Sequence, residues 1–95
     1  MRLSPAEVAV IREEVARFDP AARVWLFGSR ADDRARGGDI DLLVRSDSIS
    51  FGDKVLLKVR ILDRIGAQQL DLVAAPASRP AAEWIETVAR EGCEL

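Results

Sequence analysis

Histidine and tyrosine are both missing from these 95 residues, and cysteine occurs once. Without histidine, the side chain that most often moves protons near neutral pH is gone, and most zinc sites lose their ligands. The lone Cys93 cannot close an internal disulfide, which suits a reducing compartment. With no imidazole to activate it, it reads as a bland thiol near the C-terminus. Any metal must therefore be held by oxygen, which favours Mg²⁺, Mn²⁺ or Ca²⁺. Long apolar runs are lacking too, for no stretch approaches the roughly 18–20 residues needed to cross a bilayer. The segment MRLSPAEVAV has neither the basic start, the apolar stretch nor the small-residue cleavage site of a signal peptide. A cytoplasmic protein with no membrane role is expected. The net charge of −2 gives no global attraction to nucleic acid, so direct nucleic-acid binding is not expected.

What remains is 48% hydrophobic and 32% charged, the balance of a folded globular chain rather than a disordered one. Its length predicts a single domain over 1–95. Ser4-Pro5-Ala6-Glu7 opens a helix, with Ser4 as N-cap, Pro5 at the first helical position and Glu7 closing a capping box. Val8, Ile11, Val15 and Phe18 follow on one stripe, and Asp19-Pro20 ends it. Residues 23–27, RVWLF, read as a strand stopped by Gly28. Residues 28–38, GSRADDRARGG, form a polar loop in which a short helical turn fits 29–33. A second strand runs from Ile40 to about Arg45. Ser50 and Asp53 cap a helix through Val55, Leu56, Val59, Leu62 and Ile65, with Gly66 as its stop. Leu70–Ala74 is a third strand, and Ala81, Trp84, Ile85 and Val88 mark a last helix ending near Gly92. Helix, strand, strand, helix, strand, helix predicts an α/β (α+β) domain: a small mixed sheet with helices mainly on one face.

Asp39 and Asp41 are the strongest chemical signal. In a strand they leave the same face, with Cα atoms roughly 6.6 Å apart, while Ile40 and Leu42 point the other way. Asp71 sits between Leu70 and Leu72 in the third strand. If those two strands pair, three carboxylates converge. Aspartate is a poor strand former and close carboxylates repel, so a merely solvated face gives no reason for the arrangement. A divalent cation reverses the repulsion. Taken alone, the aspartates also fit an ordinary outward-facing strand surface. The loop before them adds weight. Gly28 lets a phosphate approach the backbone, Ser29 offers a hydroxyl and an N–H, and Arg30, Arg34 and Arg36 carry guanidinium groups that match phosphate oxygens. By itself this is equally an ordinary Gly-Ser turn with solvated arginines, and it is not a P-loop, because the required lysine is missing.

Together, LFGSRADDRARGGDIDLLV and the later LDLV resemble the nucleotidyltransferase superfamily that includes DNA polymerase β and kanamycin nucleotidyltransferase. Size and spacing are most similar to the minimal nucleotidyltransferases of prokaryotes (MNT domains, MntA-like antitoxins), which are often paired with a HEPN-domain protein as antitoxin and toxin. The resemblance covers nearly the whole chain, including an EGxxL-like tail in EGCEL. It implies the nucleotidyltransferase fold, with Gly28 and Ser29 holding the β- and γ-phosphates of ATP or another NTP. It also implies two Mg²⁺ ions, or Mn²⁺ in their place, on Asp39, Asp41 and Asp71, with Asp71 assisting deprotonation of an acceptor hydroxyl. Arg30 and Arg36 are looser candidates for phosphate contacts. Many relatives carry serine just before the first aspartate where this chain has Gly38, which removes a polar contact but no metal ligand.

The activity implied is transfer of a nucleoside monophosphate, AMP from ATP, to a hydroxyl. In the toxin–antitoxin relatives that hydroxyl belongs to a tyrosine of the HEPN partner. A chain with no tyrosine must then find its acceptor on another polypeptide. Little room is left for an acceptor-holding domain, so a HEPN-type partner, a homo-oligomer or both are expected to complete the site. Two other readings stay open: a non-catalytic antitoxin that neutralises its partner by contact, and nucleotidyl transfer to a small molecule.

Overall fold

Helix α1 (Pro5–Phe18) begins on the expected capping box. Ser4 Oγ accepts the Glu7 N–H at 3.1 Å, and the Glu7 carboxylate accepts the Ser4 N–H at 2.9 Å. Two of the orphan donors of the first turn are thereby satisfied. In the computed structural model, which describes residues 3–28, 40–66 and 68–95, α1 is followed by strands β1 (Arg23–Phe27) and β2 (Ile40–Arg45). Helix α2 (Phe51–Ile65), strand β3 (Leu70–Ala75), helix α3 (Glu83–Glu91) and a two-residue strand β4 (Cys93–Glu94) complete the order. Ser50 and Asp53 form a second reciprocal box at the start of α2. Gly66 ends α2 at φ +97°, a backbone angle that L side chains avoid, while its N–H still reaches Leu62 O at 2.9 Å.

The sheet runs β3-β2-β1-β4. Strand β1 is antiparallel to β2 and β4, whereas β2 and β3 are parallel, with α2 as their crossover. Strand β4 is absent from the sequence reading, since two residues carry no alternation to detect. It forms because the chain turns tightly out of α3 at Gly92. A Cβ there would lie 2.8 Å from Leu26 O and 2.9 Å from Val88 O, so only glycine lets the chain pass this close to β1. The last helix starts at Glu83, leaving Ala81 in the turn before it, where it still packs into the core.

Period-two alternation sorts the strands onto two faces. Val24, Leu26, Ile40, Leu42, Val44, Leu70 and Leu72 point to one, where Ile11 and Val15 of α1 and Leu57 and Ile61 of α2 cover them. The opposite face carries Trp25 and Leu43, covered by Ile85, with Val88 and Ala89 of α3 packed alongside. Two helices thus cover one face and a shorter third helix covers part of the other, a mixed α/β fold with helices mainly on one side.

Helices α1 and α2 are joined by charge as well as by apolar contact. Buried Glu14 accepts from Arg60 at 2.7 Å and from Arg64 at 2.9 Å, and Arg64 also donates to Glu13 at 2.8 Å. Those hydrogen bonds, from Arg60 first and then Arg64, hold the Glu14 carboxyl below its ordinary range. Helix α2 differs from the sequence reading in one respect. Only Leu57 and Ile61 are buried, while Val55, Leu56 and Val59 stand in solvent. The helix is apolar on two sides, and the sheet takes just one of them.

Candidate functional site

Register decides which acids meet. Strand β1 pairs Phe27 with Asp41, and β3 pairs Asp41 with Asp71. Directly paired residues share a sheet face, so Phe27, Asp41 and Asp71 form a row across three strands, about 4.8 Å from one to the next. This row lies on the second face, in line with Leu43 and Trp25, and its Phe27 end packs against the cluster that α3 covers. Asp41 is half-buried and Asp71 exposed. Two carboxylates side by side on parallel strands repel each other, which a solvated surface has no reason to maintain.

Gly28 closes β1 beside them. Its φ is +74°, and a Cβ on it would collide with Asp41 Oδ2 and come within 3.2 Å of Asp41 Cγ. Both the backbone angle and the missing side chain are needed for the aspartate to sit where it does. Gly28 is thereby set against Asp41. Ser29, Arg30, Arg36 and Asp39 lie outside the described residues.

An open cleft of about 670 Å³ borders the pair. Phe27, Asp41, Asp71 and Val73 line it from the sheet, Phe51, Lys54, Val55 and Lys58 from α2, and Trp84 from α3. The consecutive residues Asp71, Leu72 and Val73 all reach it, which is possible because β3 is an edge strand and the cleft wraps around that edge. A volume of this size is in the range of sites for small organic ligands, roughly 300–1,000 Å³. Among the described residues its charged groups are the Asp41 and Asp71 carboxylates and the Lys54 and Lys58 ammonium groups, and the carboxylates are of the kind that suits a hard cation. Among the described residues, no group of three metal-ligating side chains gathers, and a third acid would have to come from outside them.

The α3 wall is held by residues that the sequence reading passed over. Arg45, at the far end of β2, donates from Nε to Pro76 O at 2.9 Å and from Nη2 to Arg79 O at 3.1 Å, and pairs with Glu86 at 3.2 Å. Glu86 in turn accepts the Ala81 N–H at 3.1 Å. Asp47 Oδ1 accepts the N–H groups of Ala77 and Ser78 at 3.0 and 3.2 Å. The turn that leads into α3, and so the placing of Trp84, depends on these contacts. No local pattern announces them, because the partners are some thirty to forty residues apart. Lys54 and Lys58 were equally silent, being ordinary surface-helix residues by sequence.

A small mixed sheet covered mainly on one side, with paired carboxylates beside Gly28 at the mouth of a cleft, puts the chain in the mixed α/β class. The particular family follows from the sequence match: residues 8–80 fit the model of the nucleotidyltransferase domain, and the chain belongs to that family. The matched segment holds Gly28, Asp41 and Asp71. None of the curated proteins matches the chain.

Proposed function

We propose that this chain transfers AMP from ATP to a hydroxyl on a partner protein, as the antitoxin of a HEPN-type toxin. The observation that carries the reading is the side-by-side placing of Asp41 and Asp71 next to Gly28, at the mouth of a cleft large enough for a nucleotide. In this reading Asp39 joins the pair, and the three carboxylates hold Mg²⁺, or Mn²⁺ in its place. Bound there, the cation would neutralise charge developing on the phosphates and would lower the effective pKa of the acceptor. Gly28 and Ser29 bind the β- and γ-phosphates, with Arg30 and Arg36 supplying further contacts.

The acceptor oxygen then attacks the α-phosphorus and forms the new ester bond. The bond from that phosphorus to the bridging oxygen breaks, and pyrophosphate leaves with the electron pair. The acceptor's proton passes to the Asp71 carboxylate, which is exposed and therefore open to an incoming hydroxyl. Positioning and electrostatics carry the chemistry. Because the chain has no tyrosine, a tyrosine acceptor must come from another polypeptide.

The test is incubation of the chain and its HEPN-type partner with ATP and Mg²⁺, followed by intact-mass measurement. Mass added to the partner in steps of one AMP supports transfer. No gain with any divalent metal, while the partner is still inhibited, replaces the enzyme with a module that acts by contact.

A further inference from the structure

Helix α2 has more apolar surface than its own fold uses. Leu57 and Ile61 are fully buried, yet Phe51 is 76% exposed, Val59 57%, and Val55 and Leu56 49% each. At about 100° per residue, Val55, Leu56 and Val59 project from the side opposite the two core residues. One flank of the helix is occupied by α1, through Arg60 and Arg64. The other flank, which carries Phe51, Lys54 and Lys58, faces the cleft that holds the acids.

The cations of α2 divide the same way. Arg60 and Arg64 are committed to Glu13 and Glu14. Among the described residues, neither Lys54 nor Lys58 is paired with a carboxylate, and Lys54 Nζ instead lies 5.5 Å from the centre of the Phe51 ring. Two ammonium groups one turn apart therefore stand between the apolar outer face and Asp71.

We infer that the protein carrying the acceptor hydroxyl docks on α2. It places an apolar helix against Val55, Leu56 and Val59 and its own carboxylates against Lys54 and Lys58. The inference rests on the reading of the chain as a transferase acting on a protein. Size excludes a small acceptor as the occupant: Leu56 and Val59 do not line the cleft, so a ligand confined to it never covers them. Charge selects among proteins, since two lysines at the cleft edge attract an acidic surface and repel a basic one. Continuity does the rest, because Val55 belongs to both the outer face and the cleft, and a chain seated there reaches Asp41 and Asp71 without leaving the surface. A second copy is a poorer occupant. Packing α2 antiparallel against itself about a twofold would set these lysines against their own kind.

The experiment uses the full chain without nucleotide or metal and follows Trp84 fluorescence, with buried Trp25 as a constant background. Two synthetic amphipathic helical peptides are titrated, each with the same leucine face and one tyrosine, one flanked by glutamates and the other by lysines. The glutamate peptide should bind at least about tenfold more tightly at low salt, with the advantage fading at high salt. Lys54→Glu with Lys58→Glu should reverse the preference, and Val55→Asp with Val59→Asp should weaken both peptides about tenfold without loss of helical signal. Equal affinity for the two peptides, or no saturable binding of either, overturns the inference. So does a charge reversal that raises KM for ATP and leaves peptide affinity unchanged, which would assign the lysines to nucleotide phosphate. Self-association abolished by the valine substitutions would assign the face to a second copy. Failure of transfer is read separately: Asp41→Asn with Asp71→Asn should keep peptide binding, so docking without AMP transfer under any metal removes the enzyme but not the surface.

Discussion

The two ends of one sheet face are built on opposite rules. At one end Arg23 meets Glu94 through two contacts of 2.7 Å, and Arg45 is held by two carbonyls and Glu86, so both of these charges are answered by a neighbour of the other sign or by a backbone oxygen. At the other end Asp41 and Asp71 stand beside each other, like charge against like. The first arrangement fastens the last helix and the last strand to the sheet. The second places two like charges on neighbouring strands at the mouth of the cleft, which is where the proposed cation would bind.

Neutralising the acidic end gives the largest expected contrast. Asp39→Asn together with Asp41→Asn should lower nucleotidyl transfer by at least about 1,000-fold while the melting temperature moves by only a few degrees. Retained transfer in that double variant removes these acids from the ligand set. Next in size is Gly28→Ala, which strains a φ of +74° and pushes into the Asp41 carboxylate. A loss of about 1–3 kcal/mol in urea melts is expected, together with a fall in activity larger than the stability loss explains. At the basic end, Arg45→Ala should cost about 2 kcal/mol through its charge-assisted hydrogen bonds. Arg45→Lys should recover only part of that, since one ammonium cannot serve two carbonyls and a carboxylate in the guanidinium's fork geometry. Any effect of Arg45→Ala on transfer should track a changed Trp84 emission, because its route to the site is the turn into α3.

The smallest effects concern exposed pairs and acid. Arg23→Ala should shift the melting temperature by a few degrees at most, for Arg23 and Glu94 are 64% and 39% exposed and solvent screens them. Among the described residues, three carboxyls sit below their ordinary range: Glu14 through Arg60 and Arg64, Asp47 through Ser78 and the neighbouring backbone N–H groups, and Glu94 through Arg23. A depressed folded-state pKa means stability that is complete above the unfolded value and lost as pH falls through the folded one. Thermal melts should therefore be flat from neutral pH to about pH 5 and decline progressively below about pH 4. A decline beginning near pH 6 would contradict this assignment.

Most elements were legible because each carries its own instruction. The boxes at Ser4 and Ser50, the period-two run from Ile40 to Arg45 and the apolar stripe of α1 are local features, and local physics is enough to place them. That Asp41 and Asp71 sit in strands was legible too, and the structure pairs those strands so that the two acids are neighbours. Beside the long-range contacts of Arg45 and Asp47 and the cleft lysines, two further features were hidden. Strand β4 depends on the space left by Gly92 against β1, and the outward face of α2 looks by sequence just like a buried one. Valine and leucine at helical spacing announce a contact without saying whether it lies within the chain or outside it.

By itself the sequence determined the three helices and three of the four strands of the described residues, the caps of α1 and α2, and the family to which the Gly-Ser and Asp-x-Asp pattern points. Those follow from residue identity and short-range spacing. Only the tertiary structure decided that β3 lies parallel to β2 in the register that sets Asp71 beside Asp41, that Gly28 yields its side-chain space to that aspartate, and that α2 turns a second apolar side outward. Pairing register and face assignment are settled by the packing of the whole sheet against its helices, a balance of burial that no short window of residues contains.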